Sequence, residues 1–410
     1  MHWLYVNVLP GVVVTAVLLI LLSIGGELYF RREMPFISTV WPTHFDDRYG
    51  FNFEPNAEVR WTNLADYWVS ERTNSLGFLD REPPVKEKGE DVCRVVFIGD
   101  SFVEAAQVPL RDKFHIVFES MANQSLRTGF RYETIAFGYS GAGQINELPF
   151  YDVFAKSFEP DVLVLVFVVN DFANNSPELE SVRNGWHPYH PPRLFYAFDR
   201  ERNSYTVIPI DPMWMDYLLP KSIFVPTPQN RVGQWLQNKS YLYAWLSSRY
   251  NFMFRASKMA EIYRNRMVSL EKQGLVSADV FGTWDPRLKN MDIMFDENAL
   301  PPVFQDAIAL TGKAFDEFQA RSDRDRFSLV VLSVADVHAR YPVMFSRLAS
   351  LLSERHIPLV DQYEYLQRKG HDPDAAHFRY DGHWNEDGHR WAAEALLEYF
   401  KEHPGVCGKN

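Results

Sequence analysis

The chain has 410 residues, of which 42 are Lys or Arg and 53 are Asp or Glu, so its formal net charge is −11. Hydrophobic residues make up 46 % and charged residues 23 %, which excludes a disordered or fibrous chain and predicts one large folded domain or two small ones. The acidic balance argues against a nucleic-acid partner, because binding to a phosphate backbone depends on clustered positive charge. Aromatic residues, at 15 %, indicate packed hydrophobic layers or a surface that binds sugars or acyl chains.

The first 32 residues are predicted to form a transmembrane anchor. Residues 8–26 carry no charged side chain, and a helix of that length spans roughly 28 Å, close to the hydrocarbon thickness of a bilayer. Glu27, Arg31 and Arg32 end the apolar run. Aromatic residues flank it where interfacial side chains would lie: Trp3, Tyr5, Tyr29 and Phe30. The pattern indicates a single-pass membrane protein.

A cleaved signal peptide is the competing interpretation, with Ser23 and Gly25 as the small residues before the cut. The apolar run is long for a signal peptide and no basic region precedes it, so we expect a retained anchor. Arg31 and Arg32 follow the run, and the positive-inside rule would then hold the bulk of the chain in the cytoplasm.

Residues 33–90 show no sustained periodicity and are interpreted as a linker and lead-in. From residue 91 to residue 405, short apolar segments alternate with helical patterns. The apolar segments predict five strands, at 94–98, 132–137, 162–169, 327–334 and 357–360. The third is apolar at every position, as expected for a strand buried on both faces. The alternation predicts an α/β fold, a three-layer α/β/α sandwich with a mostly parallel five-stranded sheet.

The segment at about 176–325 does not fit this alternation. It is rich in aromatic residues and prolines, and its later part, roughly 232–272, has a helical pattern. We interpret it as an insertion that decorates the active-site edge of the domain.

The two cysteines, Cys93 and Cys407, are too few for a disulfide framework or a cysteine-rich metal site. They could pair with each other, but the interpretation that the sequence favours is that each is a spectator. Neither a metal ion nor an organic cofactor is predicted.

Three candidate functional positions follow predicted strands directly. Ser101 comes after the first strand, Gly141 lies in the turn after the second, and Asn170 ends the third. In open parallel sheets, functional residues gather at the carboxyl ends of the strands. Each position alone is explained as well by an ordinary turn or helix cap. Together, a serine, a glycine N–H and an amide could supply a nucleophile and an oxyanion hole.

Asp381 and His383 lie near the C-terminus, in a predicted loop just before a helix that Asn385 would cap. A carboxylate close to an imidazole can hold its tautomer and stabilise the imidazolium. A solvated turn is the alternative interpretation. A metal site is less favoured, because His383 and His389 are not joined by a Cys or Glu at a recognised ligand spacing.

The chain resembles the SGNH/GDSL hydrolase superfamily, whose four sequence blocks occur here in the same order: Gly99-Asp100-Ser101, Gly141, Asn170-Asp171 and Asp381-x-His383. The resemblance implies a flavodoxin-like SGNH fold in which Ser101 is the nucleophile, His383 is the general base and Asp381 orients the histidine. It also implies an oxyanion hole formed by Gly141, Asn170 and the Ser101 N–H.

The segments 73–78 and 160–164 resemble a membrane-anchored bacterial branch of this superfamily. That resemblance implies a catalytic domain on the outer, periplasmic face of the membrane, against the indication of the two arginines. Many members have Asp-x-x-His, whereas Asp381-Gly-His383 is similar to the form in polysaccharide O-acetyltransferase-like relatives. Hydrolysis and acyl transfer therefore both stay open.

Three functions are compatible with these patterns. The favoured hypothesis is a serine ester hydrolase that acts through an acyl-enzyme on an ester substrate, such as a carbohydrate or lipid O-acyl group. The second is a polysaccharide O-acetyltransferase or deacetylase acting on an acylated glycan, since aromatic rings stack on sugar faces. The third is a non-catalytic binding or assembly module with a degenerate site.

Overall fold

The computed structural model describes residues 9–38, 42–183, 193–199, 202–210, 231–250, 268–276 and 301–408. Trp3, Tyr5 and much of the predicted insertion at about 176–325 lie outside these ranges. Helix α1 (Leu9–Glu33) covers the apolar run, and its apolar side chains are largely exposed. By length and composition, such a helix could span a membrane or serve as a signal sequence.

Residues 43–72, inside the segment predicted as a linker and lead-in (33–90), form two antiparallel hairpins. These are β1 (Thr43–Asp46) with β2 (Gly50–Phe53), and β3 (Glu58–Thr62) with β4 (Trp68–Arg72). Phe53 and Phe78 are buried in the main hydrophobic core, so this segment is packed onto the domain. Strands of four or five residues are too short to produce a visible periodicity in the sequence.

A parallel five-stranded sheet forms the centre of the domain. The strands after the hairpins are, in chain order, β5 (Val92–Gly99), β6 (Arg131–Gly138), β7 (Val162–Phe167), β8 (Phe195–Asp199), β9 (Ser204–Ile208), β10 (Ser328–Ser333), β11 (Leu359–Asp361), β12 (His377–Phe378) and β13 (Asp381–Trp384). The central sheet has the order β11-β10-β7-β5-β6, and every neighbouring pair in it is parallel. This is the flavodoxin-like order, in which the chain reverses its direction of winding between β5 and β7.

Helices cover both faces of this sheet. The helices that follow α1 are, in chain order, α2 (Ser101–Glu104), α3 (Phe114–Ser125), α4 (Gln144–Val153), α5 (Asp171–Asn174), α6 (Pro177–Arg183), α7 (Arg231–Lys239), α8 (Tyr241–Tyr250), α9 (Pro302–Asp325), α10 (Ala335–Ala339), α11 (Pro342–Ser353), α12 (Gln362–Lys369) and α13 (Glu386–Glu402). Helix α13 packs on α3, and α9 packs on α4. All six residues of β7 are buried, which stabilises the fold by roughly 1.5–3 kcal/mol per large apolar side chain. The predicted α/β/α sandwich is confirmed.

Cys93 and Cys407 form a disulfide bond, so the interpretation of each as a spectator is wrong. Their Cα atoms are 5.6 Å apart, a separation that a disulfide bridges without backbone movement. The segment after α13 crosses the sheet edge where the strands begin, since Ser328 Oγ at the start of β10 donates to Val406 O (2.9 Å). Cys407 thereby reaches Cys93 at the start of β5. The two cysteines are 314 positions apart in the sequence, so no local pattern indicates that they are close.

Candidate active site

Ser101 begins α2 immediately after β5, at the carboxyl edge of the sheet. Asp100 caps this short helix, and its Oδ1 accepts a hydrogen bond from the Phe102 N–H (2.9 Å). Asp100 Oδ2 lies 3.2 Å from Ser101 Oγ and accepts a hydrogen bond from Asn170 Nδ2 at 3.3 Å. Because Ser101 follows β5 and Asn170 follows β7, both lie where the winding of the sheet reverses, the usual place for a ligand crevice.

His383 links Ser101 to Asp381. The distance from His383 Nε2 to Ser101 Oγ is 2.8 Å, and that from His383 Nδ1 to Asp381 Oδ1 is 2.5 Å. An ionised carboxylate only accepts hydrogen bonds, so Nδ1 carries the proton and the Nε2 lone pair faces the serine hydroxyl. The structure therefore brings together three residues that the sequence holds up to 282 positions apart.

The backbone around Asp381 and His383, called the dyad below, differs from the expected loop. Asp381 and His383 lie on β13, which pairs with the two-residue strand β12, so the prediction of a loop is wrong here. The His383 N–H also donates to Asp381 Oδ1 (3.1 Å), which fixes the carboxylate relative to the ring. Asn385 caps α13 as predicted, with Oδ1 accepting from the Gly388 N–H.

The electrostatics of the dyad suit a general base. Burial opposes the charged form of His383, but the hydrogen bond and negative charge of Asp381 outweigh it and raise the pKa of the imidazole above its usual 6.5. Burial also acts to raise the pKa of Asp381, yet the His383 hydrogen bond and charge lower it below 3.8. The carboxylate thus stays ionised and stabilises a protonated His383.

Tyr67 is a further partner of Asp381. Its hydroxyl donates to Asp381 Oδ2 at 2.6 Å, and its ring lies against that of Phe378 with centroids 5.0 Å apart. Burial and the neighbouring Asp381 carboxylate raise the pKa of Tyr67 above its usual 10, so it remains a donor. Sequence reasoning missed this residue, because nothing in the segment 33–90 indicates a contact with the C-terminal motif.

Gly141 lies in the loop that follows β6, and its φ of +70° is a conformation that favours glycine. The loop is tied to α2, since the Ser140 N–H and Oγ donate to the Glu104 carboxylate at 2.9 and 2.8 Å. Burial raises the pKa of Glu104 to about 7. Glu104 lies three residues after Ser101, so the loop and the serine share one short helix as their support.

Arg193, from the segment predicted as an insertion, holds the other side of this loop. Its guanidinium donates to Ser140 O (2.7 Å) and to Gly141 O. The Arg193 side chain is only 4 % exposed, and its Cζ lies 5.9 Å from the centre of the Tyr139 ring. A buried cation therefore fixes the two carbonyls beside the predicted oxyanion donor. No sequence motif indicated Arg193.

His389 takes no part in this group. It is buried in α13, where its Nδ1 accepts the Phe114 N–H (3.3 Å). Burial, followed by the nearby charge of Lys113, lowers the pKa of His389 well below 6.5 and keeps the ring neutral. Among the residues that the structure describes, no group of three or more His, Cys, Asp or Glu side chains is arranged to hold a metal ion.

No protein-family model matches the sequence, and no curated protein matches it either. Among solved structures, the chain is similar to the acetyl xylan esterase AlAXEase, with 11 % identity, a TM-score of 0.35 and coverage of 75 % of this chain and 98 % of that chain. For Axe2, an acetylxylan esterase from Geobacillus stearothermophilus, the identity is 10 %, the TM-score 0.35 and the coverage 76 % and 95 %. For LAE5, an α/β hydrolase from the metagenome of Lake Arreo, Spain, the values are 12 %, 0.34, 79 % and 100 %.

The sheet itself establishes the fold class. Its five strands are parallel and follow the flavodoxin-like order. The four sequence blocks meet at its carboxyl edge: Ser101 contacts His383, Asn170 contacts Asp100, and the loop containing Gly141 contacts α2. The chain therefore has a flavodoxin-like α/β/α fold, and the motifs that resemble the SGNH/GDSL hydrolase superfamily lie together at one edge of its sheet.

Proposed function

We propose that this chain is a serine ester hydrolase with Ser101 as nucleophile, His383 as general base and Asp381 as the residue that orients the histidine. The observation that carries the proposal is the 2.8 Å contact between His383 Nε2 and Ser101 Oγ at the carboxyl edge of the sheet. A hydroxyl held by an imidazole that is itself held by a carboxylate is activated for attack on an acyl carbon.

In this mechanism, Ser101 Oγ attacks the ester carbonyl carbon while its proton moves to His383 Nε2. Asp381 stabilises the resulting imidazolium. The attack gives a tetrahedral intermediate. This intermediate collapses to the acyl-enzyme when the bond to the leaving alcohol breaks and His383 gives its proton to the leaving oxygen. Water then attacks the acyl-enzyme with His383 again accepting the proton, which releases the acid and restores the Ser101 hydroxyl.

The Ser101 N–H, the Gly141 N–H and the Asn170 amide supply the oxyanion hole in this proposal. An amide carries two N–H groups, so Asn170 can donate one to Asp100 Oδ2 and present the other to the substrate. Removing one such donor costs roughly 3–4 kcal/mol of transition-state stabilisation.

A fluorophosphonate probe tests the nucleophile, because it reacts with an activated serine. We expect labelling of the full chain, with the label mapped to the peptide that contains Ser101. His383→Ala should abolish labelling, whereas His403→Ala, which changes an exposed histidine near the C-terminus, should leave it intact. Label on a different residue, or none on folded wild-type protein, would refute the assignment.

Tyr380 favours a carbohydrate ester as the substrate. Its side chain is 66 % exposed and directly precedes Asp381 in the chain. Its backbone N–H donates to Asp66 Oδ2 (2.9 Å), which holds the turn in place. The Arg379 guanidinium lies 5.1 Å from the centre of the Tyr380 ring, and in this proposal the exposed ring stacks on a sugar face of the substrate.

We expect Tyr380→Ala to raise KM for an acetylated oligosaccharide by about 3–10-fold, the effect of losing one ring contact of about 1 kcal/mol. The rise for vinyl acetate should be smaller, because that ester has no sugar ring. Initial rates over a range of each substrate measure both values. Equal changes for the two esters would contradict a sugar-stacking role.

The Asp381-Gly-His383 spacing favours a second candidate, acetyl transfer to or from a polysaccharide. Here a sugar hydroxyl takes the place of water in the attack on the acyl-enzyme. Product analysis separates the two reactions: free acetate that accumulates one for one with consumed donor indicates hydrolysis. Acetate found on an added oligosaccharide acceptor indicates transfer.

Helix α1 is the membrane anchor in this proposal, with the catalytic domain on the outer face. The Cys93–Cys407 disulfide supports that side, because disulfides persist in oxidising compartments and are rare in the cytosol. Arg31 and Arg32 are the opposing indication. Protease accessibility on intact spheroplasts tests the orientation: the domain should be digested from outside.

The pH dependence of kcat/KM should report His383, which must be neutral to accept the serine proton. Since Asp381 raises the pKa of His383 above 6.5, activity should fall with decreasing pH on a limb whose midpoint lies above 6.5. Asp381→Asn should move this limb to lower pH and lower kcat by about 10⁴-fold.

The same profile distinguishes His383 from Glu104, whose pKa of about 7 lies in the same range. In rates measured between about pH 5 and pH 9, the midpoint of the acidic limb of kcat/KM should move in Asp381→Asn only if His383 controls that limb. A limb that stays in place in Asp381→Asn and moves in Glu104→Gln would contradict the assignment to His383.

Arg193→Met should lower kcat by about 10–100-fold with a smaller change in KM. The variant removes the cation that holds Ser140 O and Gly141 O, so the Gly141 N–H is no longer fixed toward the oxyanion. Arg202→Met, which changes an exposed arginine of the β8–β9 turn, is the matched control. Equal kinetics for the two variants would show that Arg193 has no positioning role.

A further inference from the structure

Helices α7 and α8 contact the end of α1. The Glu27 carboxylate accepts hydrogen bonds from Ser240 Oγ (2.8 Å), the Tyr241 N–H (3.2 Å) and the Leu242 N–H (2.9 Å). The first backbone N–H groups of a helix have no partner within the helix, so Glu27 caps α8 from outside. Residues more than two hundred positions apart are thereby joined.

Further contacts hold the same junction. Arg31 Nη2 donates to Lys239 O (2.5 Å), and the Arg31 guanidinium lies 5.0 Å from the centre of the Tyr241 ring. The rings of Phe30 and Trp245 have centroids 5.7 Å apart. The junction between α7 and α8 is therefore packed against residues 27–31 of α1.

The position of residues 27–31 along α1 determines how deep the α7–α8 junction lies in a membrane. The uncharged run ends at residue 26, and each helical residue rises about 1.5 Å. If α1 spans the bilayer, residues 27–31 occupy roughly the 6–8 Å just beyond the hydrocarbon, which is the headgroup layer. The α7–α8 junction is held at that depth by the contacts above.

The two helices expose large apolar side chains. Val232 and Trp235 of α7 are 63 % and 60 % exposed, and Leu246 of α8 is 48 % exposed. Val232 and Trp235 are three positions apart, so they share one face of α7. Tryptophan is enriched at membrane–water interfaces. Lys239 and Arg249 are exposed on the same pair of helices and suit anionic headgroups, although the whole chain carries a net charge of −11.

We propose that α7 and α8 form a second membrane contact, which lies in the headgroup layer with Val232, Trp235 and Leu246 inserted among the lipids. This inference rests on the proposed membrane-spanning role of α1. It would hold the predicted insertion, which also contributes Arg193 to the active-site loop, at the bilayer surface. The catalytic domain would then keep a constant height and orientation above the membrane instead of swinging on a single helix.

Single-cysteine labelling of the full chain tests this contact. Both native cysteines are joined in the disulfide, so an added cysteine is the unique thiol. An environment-sensitive fluorophore is placed by Val232→Cys, Trp235→Cys or Leu246→Cys, and the protein is inserted in nanodiscs of phosphatidylcholine and phosphatidylglycerol. Val207→Cys is the matched control, an exposed valine (51 %) of β9, and Leu18→Cys reports the middle of the uncharged run at 8–26.

We expect iodide to quench the fluorophore at positions 232, 235 and 246 at least about threefold less than at 207, and to quench it least at 18. A fluorophore that is shielded from iodide at position 18 but quenched at 232, 235 and 246 as strongly as at 207 would overturn the second contact while leaving the anchor in place. Full quenching at 18 would overturn the anchor and this inference together, without bearing on the esterase chemistry of Ser101.

Discussion

Replacement of Ser101 by alanine is expected to lower kcat for a p-nitrophenyl ester by about 10⁴-fold or more. Alanine has no hydroxyl to attack the carbonyl, so no acyl-enzyme forms. His383 keeps its hydrogen bond to Asp381, and the loop containing Gly141 keeps its contacts with Glu104 and Arg193. We therefore expect KM to change much less than kcat, with residual turnover arising from water attack in the proposed oxyanion hole.

The matched control is Ser120→Ala, which removes an exposed hydroxyl on α3 and should retain the wild-type rate. Burst and steady-state rates on both variants, together with their unfolding midpoints, separate loss of chemistry from loss of folding. Ser101→Ala protein that is folded and still turns over the ester near the wild-type rate would remove Ser101 as the nucleophile.

Loss of the Cys93–Cys407 bond is expected to lower the free energy of unfolding by about 3–5 kcal/mol. The bond closes a loop with a sequence separation of 314, and a long closed loop restricts the unfolded chain strongly. Both cysteines are buried, so we choose the double variant Cys93→Ala with Cys407→Ala, which leaves no buried thiol.

Chemical denaturation of the wild-type protein and the double variant, each with and without dithiothreitol, measures this effect. The reduced wild-type protein should unfold near the midpoint of the variant, and the variant itself should not respond to the reductant. Coincident midpoints for all four samples would mean that the bond is absent or without effect on stability.

The central strands could be predicted from the sequence because their signal is local. The segment predicted at 132–137 is β6 (Arg131–Gly138), and the one at 162–169 contains β7 (Val162–Phe167). Continuous β-branched and aromatic residues specify a strand that helices cover on both faces. The largest boundary differences are two residues: β5 begins at Val92 rather than residue 94, β7 ends at Phe167 rather than residue 169, and β11 begins at Leu359 rather than residue 357.

The same local logic indicated Ser101 and Asn170, since each directly follows a buried strand. It failed at β13, where a two-residue partner strand is too short to show any period. It also failed for the segment 33–90, whose short hairpins hide the contribution of Phe53 to the core.

The sequence by itself determined the parallel sheet, the polar residues at its carboxyl edge and the apolar N-terminal helix, because each depends on neighbours along the chain. Only the tertiary structure decided that Tyr67 reaches Asp381, that Arg193 reaches the loop of Gly141 and that Cys93 meets Cys407. These contacts join residues 52 to 314 positions apart. They depend on how helices and hairpins pack around the sheet, and packing of distant segments leaves no periodic trace in the order of the residues.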